Sequence, residues 1–506
     1  MASLKMTRFP QLLLSCAALI AVAAPVATHA SAAPADVPTP SAPSHADVDS
    51  AKLQAMDAYL QAQVRNDMFS GTALVAHDGE PIFVKSYGMA NYELGAPNTN
   101  DNSYLLGSVV KQFTAVAILQ LQEQGKLKVS DPICRYLETC PQSWQGITLH
   151  HLLTHTSGIP NFTSLPGWDE KLAMLSYTRP ELVALFRDLP LDFAPGEKFD
   201  YSNSGYTLLG VIIERISGQR YEQYLEEKIF KPVGMARTDT RETRALVPGA
   251  VTGYYSVGTD FISARLVSPT VDLGSSGVYS TVGDMLRWDK ALTDDRLISR
   301  ASRDAMFTAG KGDYGYAWFI GQRHGRPIQF HSGSDNGFST NILRFPDDRL
   351  TVVVLSNSDR ANAGRVSSDL AAIAFGALYK MPVERLGDLL WNVMRDHGVK
   401  AALARHAELK RTAPTAYDFG DETLVTMGYD LFEVRRLAEA KAVFEYNLQQ
   451  YPKSAYSYDG LADVADAEGD KARAIAMFGK SLEVDPKNRY AVEGLARLRG
   501  EGAKTR

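Results

Sequence analysis

Two hydrophobic periods alternate along this chain, and where they change places they mark its elements. Apolar positions three and four apart predict a first helix over residues 51–66. Short period-two runs over 72–76 and 81–87 follow, flanking Asp78-Gly79, which has the turn chemistry of a tight β-hairpin. Helical spacing returns with Val110, Phe113, Val116, Ala117 and Leu121, and Gly125 marks the stop. Residues 148–155, 180–186 and 206–216 continue a mostly helical middle. Strand-like segments reappear at 316–321, 327–331, 340–345 and 350–356, the last two separated by the turn-forming Pro346-Asp347-Asp348. An early hairpin and several late strands around a helical middle predict one antiparallel sheet closed by distant segments. The expected fold class is α+β, an antiparallel sheet flanked by helices.

From about Val383 the pattern becomes uniformly helical. Ala440, Phe444, Leu448 and Pro452 recur as Ala474, Phe478, Leu482 and Pro486, each offset by 34 residues. A small residue, an aromatic and a proline at that period resemble the tetratricopeptide repeat. Met427-Gly428, Leu461-Ala462 and Leu495-Ala496 supply its large–small pair. The expected tail is residues 384–506, with repeats at 421–454 and 455–488 and a capping helix at 489–499. Such repeats need about three units to stand alone. The tail is therefore expected to pack on the main domain, residues 51–380, or on 389–409. It either binds a protein partner or braces the chain.

Composition narrows the class. With 506 residues, 45% hydrophobic and 22% charged, the chain is an ordinary globular protein of two or more domains. A formal charge of −5 is too mild and dispersed to imply nucleic acid or an acidic membrane surface. Residues 1–30 read as a secretory signal: Lys5 and Arg8, an apolar stretch over 12–26, then small residues around Ala30. Removing this segment, with two basic and no acidic groups, lowers the charge to −7. It also leaves no integral membrane span. Residues 31–50, rich in Ala, Pro, Ser and Asp, read as a flexible leader. An exported, periplasmic or secreted protein is expected. In that setting Cys134 and Cys140, six positions apart, are expected to form a local disulfide.

The chemistry-bearing stretches come in a fixed order: Ser108-Val109-Val110-Lys111, Tyr201-Ser202-Asn203 and His331-Ser332-Gly333. Ser108 stands at a helix start with Lys111 one turn on, on the same face, where unpaired N–H groups favour developing negative charge. His331-Ser332-Gly333 reads as a short glycine-containing turn. A hydroxyl, an amine and a phenol in these contexts suggest serine acyl transfer. Metal chemistry is not expected: His151 and His155 have i, i+4 spacing, but Leu152 stands where a metalloprotease needs glutamate. Residues 274–277 lack the lysine of a phosphate loop, and Asn161-Phe162-Thr163 matches a glycosylation acceptor.

Together these segments resemble the serine β-lactamase/penicillin-binding superfamily, in the branch similar to class C enzymes, over residues 51–380. The resemblance is carried by residues 106–111, Leu152 to Pro160, Phe199 to Tyr206 and Phe330 to Gly333. Gly277 to Thr281 and Gly315 to Trp318 also fit. It implies a site between the sheet and an all-helical lobe, with no cofactor. Ser108 would be the nucleophile of an acyl-enzyme, and Lys111 and Tyr201 would share the proton work. Asn203, His331, Ser332, Gly333 and Ser334 would bind substrate. The backbone N–H groups of Ser108 and Ser334 would form the oxyanion hole. Whether Lys111 or Tyr201 is the base stays open: making a phenol mostly phenolate at neutral pH needs roughly 4 kcal/mol, and the two groups titrate as a unit.

The family commonly places a lysine where this chain has His331, a mostly neutral residue at pH 7. The His-x-Gly form resembles D-aminopeptidases, D,D-peptidases and esterases. The resemblance thus implies hydrolysis of a peptide or amide, D-amino acid-containing or cell-wall-derived, or of an ester. The alternatives are a true β-lactamase and a module that holds a cell-wall fragment without turnover.

Overall fold

A computed structural model describes residues 50–169, 171–240 and 246–500. The expected signal segment, and the leader up to residue 49, lie outside the described residues. Among those described, no helix is long and apolar enough to cross a membrane.

Six antiparallel strands form the main sheet, in the order Phe319–Arg323, Arg326–Asp335, Phe338–Phe345, Leu350–Ser356, Gly71–His77 and Glu80–Tyr87. The early hairpin joins the late strands through a register running from Gly71 opposite Ser356 to His77 opposite Leu350. The Leu350–Ser356 strand is buried along its whole length, which explains its apolar run from Val352 to Leu355, and its buried Thr351 hydroxyl donates to Asp289 Oδ2 at 2.8 Å. Val352 and Val354 pack with Met56, Tyr59, Leu60 and Leu370 from the Ser50–Arg65 and Ala363–Phe375 helices. Val353 and Leu355 point the other way, into the helical lobe containing Phe113 and Trp288. The fold is therefore α+β, with an antiparallel sheet between two helical layers.

The structure corrects two local readings. His331-Ser332-Gly333 is not a turn but the interior of the Arg326–Asp335 strand, with His331 opposite Ile342 and Gly333 opposite Thr340. Gly333 is needed for close approach instead: a Cβ there would stand 1.9 Å from the Leu106 carbonyl oxygen. The segment predicted at 316–321 begins its strand only at Phe319, because Ala317 sits in the left-handed region at φ 63°. Cys134 and Cys140 are joined, their Cα atoms 5.3 Å apart.

Residues from Leu386 to Arg499 are all-helical. Phe444 of the Leu437–Gln450 helix lies against Gly428 and Gly460, where a Cβ would approach its ring to 2.5 and 2.3 Å. Phe478, 34 residues on, meets Gly494 in the same way at 2.6 Å. The tail docks on a hairpin formed by Tyr254–Val257 and Asp260–Ser263. Gly258 at its tip has φ 58° and lies under the Trp391 ring, which a Cβ would strike at 1.9 Å. Its N–H donates to Asp430 Oδ2 at 3.1 Å, and Thr259 Oγ1 donates to Asn392 Oδ1 at 2.8 Å. A buried Arg360–Asp388 ion pair closes the seam.

Candidate active site

The Gly107–Val110 turn leads into the Lys111–Glu123 helix and brings Ser108 beside the Arg326–Asp335 strand. Gly107 makes this possible: its φ is 56°, and a Cβ would stand 2.8 Å from the Ser334 amide nitrogen. The turn is tied down from beneath by Thr340 Oγ1, which donates to the Leu106 carbonyl at 2.7 Å.

Lys111 is fully buried. Its Nζ lies 3.1 Å from Ser108 Oγ, 2.8 Å from Asn203 Oδ1 and 3.0 Å from the Ser275 carbonyl oxygen. Burial pulls its pKa down to about 7, with Asp335 acting weakly in the other direction. A neutral amine has two N–H bonds and one lone pair. The two carbonyl oxygens can accept both N–H bonds, which leaves the lone pair for the Ser108 hydroxyl. The Ser275 carbonyl is supplied by the glycine-containing 274–277 segment, where Gly274 packs too close to the Tyr206 carbonyl to carry a Cβ.

Asn203 opens the Asn203–Ser217 helix. Its Nδ2 donates to Thr163 Oγ1 and its backbone N–H to Asn161 Oδ1, each at 3.1 Å. The Asn161-Phe162-Thr163 triplet, legible only as a glycosylation match, therefore orients the amide that holds Lys111.

Tyr201 completes the cluster. Lys111 Nζ lies 4.9 Å from its ring centroid. Its hydroxyl is buried and closes no hydrogen bond of good geometry. Burial pushes this phenol above its ordinary value, and the nearby Ser108 hydroxyl only partly offsets that.

His331, expected among the substrate-binding residues, lies inside the Arg326–Asp335 strand. It is 1% exposed. One ring nitrogen, Nδ1, lies 2.7 Å from the Ser332 carbonyl, so it carries the proton, and Nε2 accepts from the Tyr314 hydroxyl at 2.9 Å. Burial, then Lys111, lowers its pKa to about 3. Strand alternation leaves Ser332 and Ser334 exposed while His331 and Gly333 face inward.

His151 and His155 do not converge. His151 Nδ1 accepts from the Thr148 N–H in a capping box, whereas His155 is buried beside Tyr201. Among the described residues no three His, Cys, Asp or Glu side chains cluster as a metal site.

Comparison with known proteins places the chain in a family. Residues 54–376 match the family model described as Beta-lactamase. Penicillin-binding protein 4* of Bacillus subtilis (strain 168) is 34% identical over 348 residues, covering 63% of this chain and 75% of the relative. A penicillin-binding protein from Bacillus halodurans superposes with a TM-score of 0.56 at 29% identity, over 62% of this chain and 99% of its own. The octameric penicillin-binding protein homologue from Pyrococcus abyssi gives 0.58 at 26% identity, over 69% and 82%. The chain belongs to the beta-lactamase family and is a serine hydrolase of the β-lactamase/penicillin-binding superfamily.

Proposed function

We propose that this protein hydrolyses a peptide, amide or ester through an acyl-enzyme on Ser108, with Lys111 as the base. The observation that carries this reading is the environment of Lys111: fully buried, with a pKa near 7 and 3.1 Å from Ser108 Oγ. Ser108 Oγ gives its proton to Lys111 Nζ and attacks the substrate carbonyl carbon. The oxyanion is held by the backbone N–H groups of Ser108 and Ser334. Lys111 passes the proton through the Tyr201 hydroxyl to the leaving group as its bond to the carbonyl carbon breaks. Water then hydrolyses the ester by the reverse proton route. The raised pKa of Tyr201 suits a neutral phenol that relays a proton better than a standing phenolate.

Substrate binding is assigned to Asn203 and to the exposed Ser332 and Ser334 on the cleft strand. His331 supplies no positive charge at neutral pH, so a substrate carboxylate gains no fixed cation there. This favours D-amino acid-containing or cell-wall-derived amides and esters over efficient β-lactam turnover. The signal-like residues 1–30 and the paired Cys134 and Cys140 support export. The docked hairpin around Gly258 supports a bracing role for the repeat-like tail. Turnover of a panel decides the substrate class: nitrocefin, a p-nitrophenyl ester, a D-amino acid amide and a D-Ala-D-Ala peptide. Amide or ester hydrolysis exceeding nitrocefin hydrolysis, and lost in Ser108→Ala, is the expected outcome; nitrocefin as the best substrate contradicts it.

A further inference from the structure

Tyr201 presents a physical problem that its neighbour His155 solves. A phenol that relays a proton must be held in one orientation, yet the Tyr201 hydroxyl closes no hydrogen bond of good geometry. Its ring and backbone must therefore be fixed from elsewhere. His155 holds three parts of this segment at once. Its carbonyl oxygen accepts the Asp200 N–H at 2.8 Å. Its Nδ1 accepts the Ser202 N–H at 3.1 Å. Its ring lies 4.1 Å, centroid to centroid, from the Tyr201 ring at an interplanar angle of 33°. The residues on both sides of Tyr201 and the ring itself are thus clamped by one side chain and its backbone.

Two features mark this as an imposed arrangement. His155 has φ 54°, a left-handed conformation that a non-glycine residue adopts only where its surroundings enforce it. With Nδ1 accepting, the ring proton sits on Nε2, which is buried without a hydrogen-bond partner among the described residues. The rings of Tyr206 and Tyr314 stand 5.0 and 4.9 Å away. A leucine or valine would fill this space without an orphaned N–H, but neither would offer the acceptor that the Ser202 amide needs.

We infer that His155 is a positioning residue that sets the orientation of the Tyr201 phenol for proton transfer to the leaving group. The inference rests on the proposed proton route, with Tyr201 delivering the proton that the leaving group requires. An expelled amine must be protonated, whereas p-nitrophenolate leaves unaided near neutral pH. A misaligned Tyr201 therefore harms amide turnover far more than p-nitrophenyl ester turnover.

The test is the ratio of amide to ester kcat/KM in wild type, Tyr201→Phe and His155→Asn. Asparagine tolerates the left-handed backbone and can still accept from Ser202, but has no ring to stack. The ratio does not depend on the amount of active enzyme, so partial misfolding cannot move it. If His155→Asn does not accumulate as folded protein, His155→Gln carries the same comparison. The expected result is a fall in the ratio of about tenfold or more in both the His155 and Tyr201 variants, expressed in kcat with KM little changed. A His155 variant with the wild-type ratio, beside a Tyr201→Phe that shifts it, overturns the positioning role alone. A Tyr201→Phe that leaves the ratio unchanged overturns the Tyr201 proton route and the positioning role together.

Discussion

The Tyr314 hydroxyl donates to His331 Nε2 at 2.9 Å, and this bond, with the Ser332 carbonyl on Nδ1, commits both nitrogens of the histidine inside the protein. Burial, then Lys111, keeps this imidazole neutral at pH 7. Removing the donor in Tyr314→Phe leaves a buried acceptor unsatisfied, which costs about 1–3 kcal/mol. A lowered thermal unfolding midpoint, read by calorimetry, is the expected outcome; an unchanged midpoint contradicts the buried hydrogen bond.

The pH dependence follows from Lys111. Protonated, its nitrogen has no lone pair for Ser108; deprotonated, it has one. Its pKa of about 7 places an acid limb there, so kcat/KM rises as pH increases through about 7. His331, at about 3, contributes no limb between about pH 5 and pH 8. A pH–rate profile in His331→Gln that keeps the limb near 7 supports this assignment. Loss of that limb would assign it to the histidine.

Close backbone approach makes Gly333 intolerant. A Cβ would meet the Leu106 carbonyl at 1.9 Å and Thr340 Oγ1 at 2.3 Å, pushing the Ser108 turn away from the strand. Gly333→Ala is expected to lose about 1–3 kcal/mol of stability and most ester turnover. Wild-type activity in that variant would contradict the packing described.

The tail seam carries its own pH signature. Burial raises the Asp430 carboxyl to about 7, while the Gly258 N–H pulls in the opposite direction. A carboxyl whose folded pKa exceeds its unfolded value holds its proton more tightly when folded, so stability is lost as pH rises toward about 7. Asp430→Asn keeps an oxygen acceptor and removes the titration. It is expected to raise the unfolding free energy at about pH 8 by on the order of 1–2 kcal/mol, and to change it little at about pH 5. Equal effects at both pH values would contradict the account.

What could be read directly from the chain was local. Ser108 and Lys111 are one helical turn apart, so their spacing alone places them on one face. The buried Leu350–Ser356 strand announces itself through the apolar run from Val352 to Leu355. The remainder depends on contacts between distant segments. Glycine suggested a turn at Gly333 because its other use, room for the Leu106 carbonyl, needs the fold to be known. Tyr314 had no motif of its own, because its significance lies in reaching His331. The hairpin that docks the tail has strands of four residues, too short for a period to be read.

The central claim is that Ser108 is the acylated nucleophile. Intact-mass spectrometry after exposure to an activated acyl ester, with peptide mapping of the adduct, tests it most directly. The account predicts one acyl group per wild-type chain, mapped to Ser108 and absent from Ser108→Ala. Equal labelling of Ser108→Ala, or no labelling of the wild type, would contradict it.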